Sequence, residues 1–344
     1  MIKMEESDRA CDEEGFLSGE ASISSLSCKN RRYHTPVLLE ESMSALAIKP
    51  DGIYIDCTLG GGGHFQEIVN RLDKRGIAVG IDRDPEAISW CRHNINCRDA
   101  RVELKQKRFS RFREVMDELE IAEIDGMLID LGVSTHQINS DKRGFSYMRE
   151  NNLDMRMNPS DTTTAADIFN SYSVDDLARI LLEYGEIINP LRMAKTIKRA
   201  SAERHVGTSG ELKECLRREY GDHLNVKMLA KLFQALRIEV NGELTELKDC
   251  CMSAIPALRR GGRLVVISYH SLEDRFVKNF MRDNEKGCVC PTNIPVCVCG
   301  RKKIFKRINH KAIVSSAIEV SRNPASRSAR LRAVEKFMNP ISEN

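Results

Sequence analysis

Three acids stand where an apolar run gives way to a turn: Asp56, Asp82 and Asp130. Asp56 opens Asp56-Cys-Thr-Leu-Gly60-Gly-Gly-Gly-His64, entered by Ile53, Tyr54 and Ile55 and left by a helical pattern of Phe65, Ile68, Val69 and Leu72. Glycines there let the backbone take positive φ and let a ligand lie against bare main chain at a helix N-terminus. Asp82 follows the apolar run 77–81, the place where nucleotide-binding folds offer an acid to ribose hydroxyls. The spacing is not G-x-G-x-x-G, because Asp56 and Thr58 precede the glycines and His64 closes them. That favours an adenosine cofactor carrying no phosphates, such as S-adenosylmethionine, over a nicotinamide dinucleotide. Taken alone, a glycine turn also serves as a plain tight connection.

Methyl transfer from a sulfonium makes different demands at carbon and at nitrogen. Attack by cytosine C5 needs a cysteine nucleophile, usually in a Pro-Cys pair, and the chain has no Pro-Cys. An exocyclic amine instead needs acceptors for its N–H groups and a slot that aligns nitrogen, methyl and sulfur. Asp130, ending the buried-strand pattern 124–131 two positions before Gly132, is the best-placed acceptor and the catalytic candidate. A further segment, Tyr269-His-Ser-Leu-Glu-Asp-Arg275, follows the strand pattern 263–268, and ligands in open α/β sheets bind at such carboxyl ends. Ser271 also reads as a helix cap, with Glu273 and Asp274 favoured near the N-terminus.

The elements that must position these residues alternate. Strand patterns at 53–57, 77–81, 102–104 and 124–131 are separated by helix patterns at 64–72, 85–95 and 111–119, which argues for a parallel sheet with helices on both faces. A polar stretch, 135–161, then holds Arg143-Gly-Phe-Ser-Tyr147 and Leu153-Asp-Met-Arg-Met157, and a loop that long is functional or disordered. Capping signals at Ser173–Asp176 and Thr208–Glu211, with Pro190 opening a basic helix, predict a helical insertion over 140–230. One long helix carrying Phe233, Leu236, Val240, Leu244, Leu247 and Ile255 follows, and Gly261-Gly262 turn it into the strand 263–268. The chain thus divides into a disordered leader, 1–32, a main domain of 33–139 and 231–336, the insertion, and a Cys-rich loop, 286–302.

A net charge of +3 conceals an asymmetry: residues 1–20 carry two bases and seven acids, and 301–336 carry eleven bases and two acids. A basic block of that kind attracts a phosphate backbone, and a solvated charged face reads the same way. No apolar run approaches the roughly 20 residues needed to span a bilayer, and the polar N-terminus lacks a signal-peptide core, so a cytoplasmic enzyme is expected. Twelve cysteines there are expected as thiols. No metal site is assigned; Cys288, Cys290, Cys297 and Cys299, two C-x-C pairs across a Pro-containing loop, stand as zinc candidates beside the alternative of a reduced surface hairpin.

The segments HTPVLLEES, IDCTLGGGGHF, GIDRDPEAI, IDLGVSTHQI, RGFSYM, LDMRM, FQALRIEVNGEL, GGRLVVISYHSLEDRFVK and NPASRSARLR, spread over 33–336, resemble the motifs of the RsmH (MraW) family of bacterial methyltransferases. The resemblance implies a class I (Rossmann-like) S-adenosylmethionine-dependent methyltransferase of α/β class with a helical insertion domain. It implies methylation at N4 of a cytidine, 1402 in standard rRNA numbering, in the decoding centre of 16S rRNA within the small (30S) ribosomal subunit. It brings no membrane partner and leaves a homodimer open. Carried onto matching positions, it places cofactor contacts at Gly62, Gly63, His64, Asp82, Phe109, Asp130 and Gln137, with Asp82 on the ribose hydroxyls and Phe109 against the adenine. The Asp-Pro-Pro-aromatic type of signature is absent at Asp130-Leu-Gly-Val-Ser134, so Phe145, Tyr147, Tyr269 and His270 are the candidates to stack on a flipped base. Arg143, Arg149, Arg156 and the basic tail would meet RNA phosphates. The competing readings are an amino-methyltransferase of DNA or protein on the same fold and a nucleic-acid-binding protein without catalysis.

Overall fold

The computed structural model describes residues 36–337, apart from 141, 287, 289, 292, 293 and 297. The leader expected over 1–32, and Cys297, lie outside the described residues. After α1 (Leu39–Leu46) the chain alternates β1 (Ile53–Asp56), α2 (Gly63–Asn70), β2 (Ile77–Asp82), α3 (Pro85–Asn94), β3 (Arg101–Gln106), α4 (Phe112–Glu118) and β4 (Ile124–Asp130). Five helices follow: α5 (Thr135–Asn139), α6 (Ala165–Ser171), α7 (Val174–Glu183), α8 (Pro190–Glu203) and α9 (Ser209–Tyr220). Then come α10 (Val226–Asn241), α11 (Glu243–Ala257), β5 (Leu258–Ser268), α12 (Ser271–Lys286), β6 (Phe305–Arg307), β7 (Ile313–Val314), α13 (Ala317–Arg322) and β8 (Arg330–Lys336).

The sheet runs β3-β2-β1-β4-β5-β8-β6, with β7 against β8; β1 to β5 are parallel and β8 is antiparallel to β5. Both faces of the sheet's centre are covered, which is why β1, β2 and β4 read as largely apolar runs. Successive residues divide between two cores. Ile55, Ile129 and Val266 meet Phe112, Val115 and Met116 of α4, Leu247 and Ala254 of α11, and Val277 of α12. Tyr54, Leu128 and Val265 meet Met43 of α1, Phe65 and Ile68 of α2, and Ile88 and Cys91 of α3. The chain winds outward from β1 to β3 and returns to β4, so the carboxyl ends of β1 and β4 flank a switch point, where open α/β sheets bind ligands. No helix among the described residues is long and apolar enough to cross a membrane.

The insertion builds a third core, in which Ile168, Phe169, Leu177, Leu181 and Ile197 are joined by Leu232, Phe233 and Leu236 of α10. The boundary placed at 230 therefore falls inside a helix whose apolar face completes the insertion. The single helix expected through Ile255 is two, because Gly242 takes a left-handed φ of 63° and ends α10 before α11 begins. Nor do Gly261-Gly262 begin a strand: β5 starts at Leu258, and pairing of Leu258 with Ile124 and of Arg263 with Gly126 makes those glycines a bulge.

The polar stretch 135–161 is tied down rather than solvated. Leu153 and Met155 are buried, and Arg143 is held by Asp84 (2.8 Å) and by the Met157 carbonyl (2.6 Å). Arg156 is clasped by Asp154 and donates to the Pro159 and Asp161 carbonyls. Arg143 and Arg156 are thus spent on internal bonds and are withdrawn as phosphate contacts, whereas Arg149 is exposed.

Candidate active site

The turn after β1 extends the sheet before it bends. Cys57 N–H donates to the Leu128 carbonyl and Leu59 N–H to that of Ile81, both at 2.9 Å, so the turn is stitched to β4 and β2. Asp82 then uses both carboxylate oxygens on backbone: Oδ2 accepts Gly60 N–H and Oδ1 accepts Asp84 N–H, each at 2.8 Å. Gly62, with φ of 78°, caps α2; a Cβ there would lie 2.8 Å from Ile95 and 2.9 Å from the Cys91 sulfur. Any other residue would combine a strained backbone with a clash.

A cavity of about 320 Å³ opens over this turn. Thr58–Gly61, Gly63 and His64 form one side, Asp82, Arg83 and Phe109 another, Asp130–Thr135 and Gln137 a third, and Arg237, Glu243 and Tyr269 close it. Of the seven expected cofactor residues, Gly63, His64, Asp82, Phe109, Asp130 and Gln137 line the cavity; Gly62 faces α3 instead. Gln137 also completes a capping box with Ser134 and donates to Asp84 at 2.8 Å.

Asp130 is held from several sides. Its N–H donates to Thr58 Oγ1 at 2.6 Å, the Tyr269 hydroxyl donates to Oδ1 at 2.9 Å, and His64 Nδ1 stands 3.6 Å from Oδ2. Burial pushes its carboxyl up to about 8, opposed by the Tyr269 hydrogen bond and helped by Asp56. Burial likewise raises Asp56 to about 7 and Asp82 to about 6. Burial and the nearby Asp130 keep the Tyr269 hydroxyl protonated far above its ordinary range, so it remains a donor. Burial thus favours the protonated forms of these acids, and a cation beside them would favour the ionised ones.

Of the four stacking candidates only Tyr269 lines the cavity. His270 faces Glu273, Nε2 to Oε1 being 3.0 Å, while Phe145 and Tyr147 pack on the insertion's core, Tyr147 edge-on to Phe233 at 5.6 Å. In the basic tail Arg332 is buried against Asp274 and Arg307 is bound to Glu285, whereas Arg301, Lys302, Lys303, Lys306, Lys311, Arg322, Arg327 and Arg330 are exposed.

Residues 31–337 match the model of the MraW methylase family. The chain belongs to that family. Three similar proteins are each named "Ribosomal RNA small subunit methyltransferase H". That of Caldicellulosiruptor saccharolyticus is 44% identical over 306 residues, covering 88% of this chain and 99% of its own length. That of Clostridioides difficile is 39% identical over 308 residues, and that of Heliobacterium mobile 43% over 313; each comparison covers 89% of this chain and 99% of the relative.

As a member of the MraW methylase family the chain is a methyltransferase, its doubly wound sheet is the class I methyltransferase fold, and its cofactor is S-adenosylmethionine. The cavity fits such a group: bare glycine backbone, a carboxylate after the second strand, a half-buried aromatic, Phe109, and acids suited to a sulfonium line one space. Several lining residues escaped the sequence reading, Arg237 and Glu243 among them. Arg237 pairs with Glu243 through two bonds of 2.8 and 2.9 Å across the break at Gly242. Both lie within FQALRIEVNGEL, but six residues apart on one helix they would not face each other.

Proposed function

We propose that this chain methylates the exocyclic N4 of a cytidine in the decoding centre of 16S rRNA, acting on the small ribosomal subunit. The observation that carries the reading is Asp130, an acceptor at the switch point that lines the cavity, is fixed by Thr58 and Tyr269, and has no Pro-Cys nucleophile beside it. The relatives' name supports the ribosomal substrate. S-adenosylmethionine supplies an electrophilic methyl group on a positive sulfur. In this reading Asp82 takes the ribose hydroxyls, Phe109 lies against the adenine, and the turn 60–64 floors the methionine end. Asp130 accepts the N4–H hydrogen bond and draws off the proton that the amine must lose as its new N–C bond forms. Tyr269 keeps the carboxylate aimed, and the exposed bases of the tail meet phosphates.

Labelled cofactor offered to small subunits, to naked 16S rRNA, to duplex DNA and to ribosomal protein tests the substrate. Label in the rRNA is expected; label confined to DNA or protein overturns the reading.

Proton release accompanies this chemistry. Asp56, Asp82 and Asp130 are raised above their ordinary value of 3.8, so the folded protein holds protons that the unfolded chain gives up. Folding stability without cofactor therefore falls as pH rises from about 4 toward 8. A sulfonium beside Asp130 favours its ionised form, so cofactor binds more tightly as pH rises toward about 8 and binding at pH 7 expels protons. Calorimetry in buffers of different ionisation enthalpy should show net release with S-adenosylmethionine and less with S-adenosylhomocysteine, whose sulfur is neutral. Equal release by both removes the sulfonium from this account of the acids.

A further inference from the structure

No described residue between α12 and β6 lines the cavity, yet the segment gathers thiols. The Sγ atoms of Cys288, Cys290 and Cys299 all lie within 4.8 Å of one another. Cys288 and Cys299 sulfurs stand 3.8 Å apart, far beyond the roughly 2.05 Å of a disulfide. A tetrahedral zinc ion with Zn–S bonds of about 2.3 Å sets its sulfurs about 3.8 Å from each other, so this spacing is one edge of such a site.

Packing does not account for the cluster. Cys57, Cys91, Cys215, Cys250 and Cys251 are buried, the ordinary place for an inert thiol, whereas the three clustered cysteines are only half-buried. Their neighbours Val296 and Val298 are 70% and 77% exposed, so these apolar side chains do not draw the loop together. The exposed bases Arg301, Lys302 and Lys303 come just after Gly300 in the chain. Soft sulfur ligands in this geometry select zinc over magnesium or calcium.

We propose that Cys288, Cys290 and Cys299 bind one zinc ion as thiolates, pinning the end of α12 to the chain that enters β6. Each ligand exchanges its S–H bond for an S–Zn bond and gives its proton to solvent, with no change of oxidation state. The neighbouring Cys297, outside the described residues, completes the second C-x-C pair of the sequence; the three placed sulfurs carry the proposal. The ion is structural rather than catalytic, because α12 has 16 residues, about 24 Å, between this loop and the Tyr269 end.

The full chain, purified without a metal-chelating tag from zinc-supplemented medium, should hold one zinc per chain by elemental analysis. Chelation should release it, lower the melting temperature, expose at least three additional thiols to a thiol reagent, and leave cofactor affinity unchanged. The variant C288S/C290S/C299S should be isolated without zinc. Wild-type protein free of zinc, thiol reactivity indifferent to chelation, or zinc retained by that variant overturns the proposal. The chelation measurement on wild-type protein decides the matter even if the triple variant does not fold.

Discussion

Asp130→Asn lowers the methylation rate at saturating cofactor by about 10³-fold, the loss expected when a positioned proton acceptor is removed. Asparagine keeps the shape, and its amide oxygen can still accept from the Tyr269 hydroxyl, so the cavity stays intact. In the proposed reaction it cannot take up the proton that N4 must lose. Affinity for S-adenosylmethionine falls too, by about tenfold, since one acid fewer faces the sulfonium and a charge-assisted contact is worth roughly 1.5 kcal/mol. Single-turnover rates on small subunits, set beside cofactor titration, separate the two effects. The rising limb of the wild-type pH profile should also vanish in the variant. A rate within tenfold of wild type would mean that Asp130 does not accept the amine's proton. Tyr269→Phe makes a smaller companion change, about tenfold, because one hydrogen bond that aims the carboxylate is lost.

Asp82→Ala raises the dissociation constant for S-adenosylmethionine by about 10²-fold or more, from two lost charge-assisted hydrogen bonds to the ribose at roughly 1.5 kcal/mol each. The same carboxylate holds Gly60 N–H and Asp84 N–H, so the glycine turn loosens as the ribose contacts disappear. At saturating cofactor the rate should recover most of its wild-type value, because Asp82 touches none of the reacting atoms in this reading. Isothermal titration gives the affinity and single turnover gives the rate. An unchanged dissociation constant would remove Asp82 from the cofactor site.

The sheet was legible because burial on both faces demands continuous apolar strands, and Ile53–Asp56, Ile77–Asp82 and Ile124–Asp130 display them. The turn 56–64 was legible because glycine clusters mark backbone that other residues cannot follow. Breaks that preserve periodicity were not. Leu236, Val240, Leu244 and Leu247 keep helical spacing across Gly242, so the pattern reads through the point where the chain bends. The Arg237–Glu243 pair was hidden for the same reason: on a continuous helix six residues turn about 240° and part the two side chains. Pairings distant in sequence were equally invisible. Arg143 looks like any solvated base in a polar stretch, and only the fold brings it to Asp84, 59 residues away. Phe145 and Tyr147 were plausible stacking groups by type, but an insertion that needs a core of its own claims them.

The most direct test of amine methylation at the Asp130 site is nucleoside mass spectrometry. 16S rRNA from small subunits lacking the modification is digested after incubation with the purified chain and S-adenosylmethionine. N4-methylcytidine confined to one decoding-centre position, formed by wild type and absent with Asp130→Asn, is the expected result; 5-methylcytidine, or N4-methylcytidine formed equally by both proteins, contradicts it.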